Sequence, residues 1–338
     1  MRCSSWRTCS SARLGADRQG AALPRVSVIV PAHDAADHLP AAIASVRAQT
    51  FGDWEIVAVD DGSSDGTWEL LSKAGPRVTA LRRESAGGPA RARNLALARA
   101  GGELVVFLDA DDLLLPRYLE RQIERYEAAT RGPGAPVGLV GCDALILGAG
   151  GYAAHTHVQR VPGGRRALTL ERLLRLNPLH VSCLVPAAVG EQVGWFDPEL
   201  FGTEDYGLWI AILERGYRAV LSEEVLAVYR RVPGAVSSNL ARQARNNRRA
   251  YERALGRGHL RARQRRLARR SIRYNRALEQ VALARFSATG ARRPGAGWLR
   301  QAPALLEAAL RNPRRWPAWL RLLYSGRAED AAELRASP

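Results

Sequence analysis

The 338-residue sequence predicts an α/β fold, with a mostly parallel central sheet flanked by helices and a basic helical extension at the C-terminus. Three observations support this prediction. Short apolar segments alternate with amphipathic ones over the first 130 residues, acidic clusters follow two of the apolar segments, and the charge balance changes near residue 240. Alternation of this kind favours a parallel sheet that is covered by helices on both faces.

The first half of the chain contains four short apolar runs that we predict as buried strands. They cover residues 26–30, 56–59, 78–81 and 104–108. The segments between and after them predict helices, because apolar residues recur at helical spacing or because proline or a capping residue stands at the start. The predicted helices cover about 39–46, 64–71, 89–100 and 116–129.

The pattern changes after residues 131–136, which are rich in glycine and proline. Residues 137–235 mix predicted strands (137–147, 181–185 and 219–229) with helices and glycine-rich turns. We expect this half to complete the sheet and to form the second wall of a site.

The last hundred residues have a different charge from the rest of the chain. Residues 241–338 contain 24 arginines and 6 acidic residues, whereas residues 1–240 contain 26 basic and 27 acidic residues. Apolar residues in 259–286, and again in 316–323, lie on one helical face. Such helices either contact an anionic membrane surface or form a hairpin packed on the main domain. No nucleic-acid module accompanies the charge, which argues against nucleic acid as a partner.

The remaining compositional features concern the compartment. Residues 1–24 are small, polar and dotted with arginine, so we predict a disordered leader rather than a signal peptide. No segment reaches the roughly 20 apolar residues of a membrane span. The four cysteines lack metal-binding spacing and are interpreted as buried thiols in a reducing compartment. We therefore predict a cytoplasmic protein, peripheral on the inner face of the membrane.

Two strands are followed directly by carboxylates. The segment V-V-F-L-D-A-D-D ends in Asp109, Asp111 and Asp112, and an upstream strand ends in Asp60 and Asp61. Crowded carboxylates repel one another unless a cation neutralises them, and oxygen ligands suit Mg²⁺ or Mn²⁺. The alternative for the first cluster is a solvated acidic turn. Ligands bind such sheets at the carboxyl ends of strands, so we predict a site for a phosphorylated, metal-bound ligand.

Five motifs in this order resemble family 2 glycosyltransferases of the GT-A fold. They are V-S-V-I-V-P-A-H-D (26–34), V-D-D-G-S-S-D-G-T (59–67), G-P-A-R-A-R-N (88–94), F-L-D-A-D-D (107–112) and G-T-E-D-Y-G-L-W (202–209). The resemblance covers about 25–235 and implies inverting transfer from a nucleotide-diphosphate sugar. We expect a GT-A domain over 25–238, with a nucleotide-sugar half at 25–130 and an acceptor half at 137–238, followed by an arginine-rich helical tail over 239–338.

The resemblance also implies site residues. Those implied to contact the donor are Pro31, Ala32, His33, Asp34, Asp60, Asp61, Arg91, Asp109 and Ala110. Within this set, the first three residues would line the base pocket, Asp61 would accept from the base and Asp60 would support Asp61. Arg91 stands at a helix start where it would meet the diphosphate, and Asp109 would contact the ribose. Asp111 is the implied metal ligand. Three alternatives stay open: Arg91 on a solvated helix face, Asp60 and Asp61 as turn caps, and Asp112 as a cap before Pro116.

Transfer to a hydroxyl requires a base, whereas a metal can stabilise the departing diphosphate. The resemblance implies that Asp205 is this base and that Glu204 orients the acceptor or the loop. The alternative is that both acids only cap the following helix. The family often has a histidine loop after the late strand, but this chain has Val232 there, so Arg230 or Arg231 is the candidate to meet the diphosphate.

The predicted function is transfer of a sugar to a glycan, lipid-linked or other hydroxyl acceptor, in cell-envelope or exopolysaccharide assembly. Peripheral membrane contact through 241–338 accompanies this prediction. One alternative is a nucleotidyltransferase, which would release pyrophosphate instead of a nucleoside diphosphate. The other is a non-catalytic binding protein, against which the carboxylates at 109, 111 and 205 argue. Asn94 is expected to cross-link a loop, and Trp195 and Trp209 to lie in the core.

Overall fold

The fold is seen in a computed structural model that describes residues 23–148, 151–156, 168–231 and 239–289. Almost all of the predicted leader, Val232 and the tryptophan-containing segment at 316–323 lie outside the described residues.

Nine strands in the described part of the chain form one mixed sheet, in the order β3-β2-β1-β4-β8-β6-β9-β5 with β7 beside β6. Strands β1 to β4 pair in parallel, and β8 runs antiparallel to both β4 and β6. The strands are β1 (Val26–Ala32), β2 (Trp54–Asp61), β3 (Val78–Arg83), β4 (Leu104–Phe107), β5 (Leu113–Leu114), β6 (Val137–Gly148), β7 (Gly151–Thr156), β8 (Leu184–Pro186) and β9 (Arg218–Arg230). The predicted α/β fold with a central sheet flanked by helices is confirmed. The sheet is mixed: β1 to β4 and the pair β6–β9 are parallel, and the other pairings are antiparallel.

Helices cover both faces of the sheet. They are α1 (Leu39–Arg47), α2 (Thr67–Ser72), α3 (Pro89–Leu97), α4 (Tyr118–Arg131), α5 (Leu170–Leu173), α6 (Ala187–Val193), α7 (Glu204–Glu214), α8 (Leu240–Arg257) and α9 (Ala262–Thr289). Alternate strand residues point to opposite faces, so Val28 packs with α1 and α4 while Ile29 packs with α3 and α7. Burial on both faces explains why the strands read as continuous apolar runs.

The largest aromatic cluster lies under the site. Phe107, the last residue of β4, contacts Trp195, Phe196 and Trp209, with the ring centres of Phe107 and Phe196 4.9 Å apart. Trp209 is fully buried, as predicted for the core, and Trp195 is partly buried. Asn94 exchanges hydrogen bonds with the backbone of Phe196, so it cross-links α3 to the loop before α7, as expected.

Helices α8 and α9 form a hairpin that packs on α7 and on the segments before it. The hydroxyls of Tyr251 in α8 and Tyr206 in α7 are 2.8 Å apart, and the Asn246 side chain donates to the carbonyl of Phe201. Ser271 of α9 donates to the carbonyl of Leu174. The described part of the tail therefore packs as a hairpin. Among the helices in the described ranges, none is long and apolar enough to cross a membrane.

Several predicted element boundaries were wrong. Strand β8 begins at Leu184 rather than at Val181, because the backbone of Cys183 donates to the carbonyl of Val181 in a tight turn. Helix α4 begins at Tyr118, two residues after Pro116. The two-residue strand β5 was not predicted, since its pairing with β9 is made across more than a hundred residues of sequence.

Candidate functional site

Three neighbouring parallel strands deliver the predicted site residues to one edge of the sheet. Strand β1 lies between β2 and β4, and Ala32 at its end is paired with Asp60 at the end of β2. Strand β4 ends at Phe107, so Asp109 follows at the same edge. The predicted meeting of the two acidic units at the carboxyl edge is therefore what the sheet produces.

Asp109, Asp111 and Asp112 form a compact acidic cluster. Each offers a carboxylate oxygen, and these oxygens all lie within 4.8 Å of one another. Burial, together with the charges of Asp109 and Asp112, raises the pKa of Asp111 to about 7. A carboxylate in this state is costly to ionise without a cation, so the donor set fits a hard divalent metal.

Asp112 is held by the protein itself. One of its oxygens accepts from the backbone N–H of Arg230 at 2.8 Å, and the other lies 3.0 Å from Nε2 of His180. The possibility that Asp112 caps the turn before Pro116 is wrong, because its carboxylate points to β9 and to the loop before β8. Asp109 and Asp111 thus face the site while Asp112 anchors the cluster.

His180 is a site residue that the sequence analysis missed. It is buried, packs beside Tyr229 and contacts Asp112. Burial lowers the pKa of His180, but its contact with Asp112 and the charges of Asp112 and Asp109 outweigh that effect and raise it. Its position in an irregular segment between elements left no periodic signal by which the sequence could have identified it.

Arg93 is the second missed residue and the electrostatic centre of the site. Its guanidinium donates to Asp109 at 2.5 Å and to Glu204 at 2.7 Å, and it is almost completely buried. It therefore ties α3 to the end of β4 and to the start of α7. A helical residue two positions from Arg91 points to the other side of the helix, which could have indicated that one arginine is exposed and the other buried.

Arg91, the arginine implied to contact the diphosphate, is exposed on α3 and donates to the carbonyl of Gly87 at 3.3 Å. Its guanidinium contacts the glycine loop that precedes the helix, and its role as a donor contact stays a prediction.

Glu204 and Asp205 begin α7. Glu204 is buried, and besides its bond to Arg93 it accepts from the backbone N–H of Gly202 at 2.6 Å. These bonds hold the loop in place, which is compatible with the orienting role implied for Glu204. Burial and the charge of Glu204 raise the pKa of Asp205 to about 7, and one Asp205 oxygen accepts from the Tyr206 N–H.

The carboxylates at the end of β2 are fully occupied by protein groups. Asp61 accepts from the backbone N–H groups of Gly87 and Gly88 and forms an ion pair with Arg83. Asp60 is completely buried, accepts from the backbone of Ser63 and lies 3.1 Å from Arg82. Both hold the glycine loop and the turn after β2; their roles toward a nucleotide base stay predictions.

The remaining predicted donor residues line the same edge. Nδ1 of His33 donates to the carbonyl of Asp61 at 3.0 Å. Asp34 adopts a left-handed backbone conformation with φ of 45°, and its carboxylate accepts from the Ser64 N–H at 2.8 Å. Pro31 and Ala32 are the last residues of β1, and Ala110 is buried between the acids of the cluster.

Comparisons with known proteins identify the family. The family model "Glycosyl transferase family 2" matches residues 27–133. A relative from Bacillus subtilis, "Putative teichuronic acid biosynthesis glycosyltransferase TuaG", is 33% identical over 221 residues, which cover 64% of this chain and 82% of the relative.

An Escherichia coli relative is named "UDP-Glc:alpha-D-GlcNAc-diphosphoundecaprenol beta-1,3-glucosyltransferase WfgD". It is 29% identical over 216 residues, which cover 63% of this chain and 80% of the relative. A solved structure, the mannosyltransferase PcManGT of Pyrobaculum calidifontis in complex with GDP-Man and Mn²⁺, has a TM-score of 0.60 and 22% identity, and covers 89% of this chain and 84% of that one. This similarity shows the fold that the site is built on.

Proposed function

Because the chain belongs to glycosyltransferase family 2 and is a glycosyltransferase of the GT-A fold, we propose that it moves a sugar with inversion from a nucleotide-diphosphate sugar to an acceptor hydroxyl. The transfer uses Mg²⁺ or Mn²⁺ and serves cell-envelope or exopolysaccharide assembly. Residues 25–238 carry the chemistry, with the nucleotide-sugar half at 25–130 and the acceptor half at 137–238.

One observation carries this proposal. The buried guanidinium of Arg93 bonds to Asp109 of the acidic cluster and to Glu204, the chain neighbour of Asp205. A metal-binding group and a candidate base are thereby held on the two sides of one positive charge. Asp111 and Asp205 both have a pKa of about 7, which is the range that suits proton transfer and cation binding near neutrality.

The donor lies along the carboxyl edge of the sheet in this proposal. Pro31, Ala32 and His33 face the base, with Asp34, Asp60 and Asp61 supporting that end of the site. Arg91 meets the diphosphate, and Asp109 and Ala110 lie at the ribose. Support comes from the sheet order, which brings the ends of β2, β1 and β4 together.

Asp111, in the cluster that it forms with Asp109 and Asp112, would hold the metal, and the metal would stabilise the charge on the leaving diphosphate. Asp205, in its ionised form, removes the proton of the acceptor hydroxyl. The acceptor oxygen then attacks the anomeric carbon while the bond from that carbon to the diphosphate oxygen breaks on the opposite face, so the configuration inverts. Glu204 keeps Asp205 in position through Arg93 and the backbone of Gly202.

We infer that the acceptor is lipid-linked, in a membrane that the protein contacts peripherally through residues 241–338. The relative WfgD, whose printed name specifies a sugar-diphosphoundecaprenol acceptor, supports this assignment. The net charge of +17, concentrated in the tail, is of the sign that anionic lipid attracts.

A thermal-shift panel with UDP, GDP, CDP and dTDP, each with and without Mn²⁺, tests the donor site. We expect a metal-dependent rise in Tm with one nucleotide, followed by release of that nucleoside diphosphate when the matching sugar nucleotide and an acceptor are added. Release of pyrophosphate instead would indicate a nucleotidyltransferase. Absence of any shift would contradict a preformed donor site.

A further inference from the structure

The two helices of the C-terminal hairpin are both rich in arginine, but their arginines have different surroundings. On α8, four arginines form ion pairs with acids of α7, of the preceding loop or of the hairpin itself. The pairs are Arg245 with Glu279, Arg248 with Glu252 and Glu279, Arg253 with Asp197 and Glu199, and Arg257 with Glu214. Arg253 and Arg257 hold the hairpin against α7 and the loop before it, whereas Arg245 and Arg248 stabilise the hairpin itself.

Besides Arg265, which donates to the carbonyl of Leu260, six exposed arginines on α9 form no ion pair with any residue in the described ranges. Their spacing by three and four residues places them on one side of the helix. We call this side the arginine face of α9: Arg263, Arg266, Arg269, Arg270, Arg273 and Arg276. The other side of the helix carries Gln264, Ala268 and Asn275, which are buried toward the rest of the protein.

No acid in the described part of the chain forms an ion pair with the arginine face. Like charges three and four residues apart on a helix destabilise it, so an anionic partner would stabilise α9. The segment after the hairpin, residues 290–338, contains nine arginines and four acidic residues, so it has the same sign of charge and does not complement this face.

We propose that the arginine face of α9 binds the anionic surface of a lipid bilayer. The choice of a bilayer rests on the proposed function, in which the acceptor is lipid-linked. The face extends from 263 to 276, or roughly 20 Å along a straight helix, which suits a flat array of headgroup phosphates. The exposed side chains of Tyr274 and Leu283 accompany the arginines, as in helices that lie in the membrane interface.

Binding through this face would orient the active site. Helix α8, which packs along α9, contacts α7 through the hydroxyls of Tyr251 and Tyr206, and it contacts the loop before α7 through Asn246 and Phe201. Since Asp205 immediately precedes Tyr206, a bilayer bound by α9 has a defined position relative to the candidate base.

The test is co-pelleting of the full-length chain with vesicles of phosphatidylcholine alone, or with a third of phosphatidylglycerol, at 0.1 M salt. The variant carries Arg263→Gln, Arg266→Gln, Arg270→Gln and Arg273→Gln. Each basic residue near an anionic surface contributes about fivefold to partitioning, so we expect the variant to bind anionic vesicles at least tenfold more weakly than the unmodified chain.

A matched control loses the same charge elsewhere, through Arg99→Gln, Arg117→Gln, Arg131→Gln and Arg215→Gln at exposed positions. It should stay within about twofold of the unmodified protein. Equal losses in both variants, or binding to neutral vesicles as strong as to anionic ones, would overturn the proposal. If the α9 variant kept its binding to anionic vesicles and instead lost binding to a single-stranded RNA, that result would also overturn the proposal, because the face would then serve nucleic acid.

The nucleotide thermal shift on the same preparations separates this inference from the proposed function. We expect all three proteins to keep the metal-dependent shift. A normal shift without vesicle binding removes the membrane surface and leaves the glycosyltransferase site standing. Selective binding to anionic vesicles without a nucleotide shift would keep the membrane surface and remove the proposed donor site.

Discussion

Two groups of carboxylates look alike in sequence but differ in the structure. One is Asp60 and Asp61 at the end of β2, and the other is the group near Arg93, which includes Asp111 and Asp205. Asp61 and Asp60 are neutralised by backbone amides and by Arg83 and Arg82. Asp111, by contrast, receives no ion pair from the described residues and has a pKa near 7. The comparison teaches that a carboxylate already satisfied by its own chain organises a loop, whereas one left among like charges is available for a cation or a proton.

The change of largest expected effect is Asp205→Asn. If Asp205 is the base, kcat should fall about 10³-fold, because an amide cannot accept the proton of the acceptor hydroxyl. The metal-dependent nucleotide shift should stay, since donor contacts are elsewhere. Turnover near that of the unmodified enzyme would show that Asp205 is not the base.

Asp111→Asn should have the second largest effect, a loss of about 10²-fold in turnover. The more direct measurement is a Mn²⁺ titration of the thermal shift, which should move to much higher metal concentration because a charged ligand is gone. Asp53→Asn is the matched control, because the Asp53 carboxylate is exposed, precedes β2 at the end of the strand away from the site, and lies outside the acidic cluster. An unchanged titration in Asp111→Asn would contradict its role as metal ligand.

Asp61→Asn should act mainly on stability. It removes the charge that the Gly87 and Gly88 amides and Arg83 bind, which we expect to lower the free energy of unfolding by about 2 kcal/mol. Chemical denaturation measures this directly. If Asp61→Asn unfolds at the same denaturant concentration as the unmodified protein but loses nucleotide binding, Asp61 acts mainly on the donor and not on the stability of the loop.

The smallest effect concerns pH. The base acts only when ionised, and the pKa of Asp205 is raised to about 7, so kcat/KM should fall about tenfold per pH unit below 7 and level off above about 8. Glu204→Gln removes a neighbouring negative charge, so it should lower the pKa of Asp205 and move this acidic limb to lower pH. A limb that stays in place would show that another group controls the profile.

The strand–acid units and the acids at the start of α7 were predictable, because each follows an apolar or helical pattern that gives its position in a sheet or helix. Arg93 and His180 were not. Arg93 lies one helical half-turn from the arginine that the motif suggested, and only packing of α3 between β4 and α7 shows which of the two is buried. His180 belongs to a segment without periodicity, and its contact with Asp112 spans 68 residues of sequence.

The hairpin shows the same division. The sequence by itself determined that the described tail, residues 239–289, is helical, amphipathic and strongly basic, because helical periodicity and charge are local properties. Which arginines pair with acids and which form the exposed face of α9 was decided only when α8 and α9 packed together and against α7. In the site likewise, strand ends determined the edge on which the acids meet, but burial and the shared arginine decided their charge states, since these depend on neighbours that are distant in sequence.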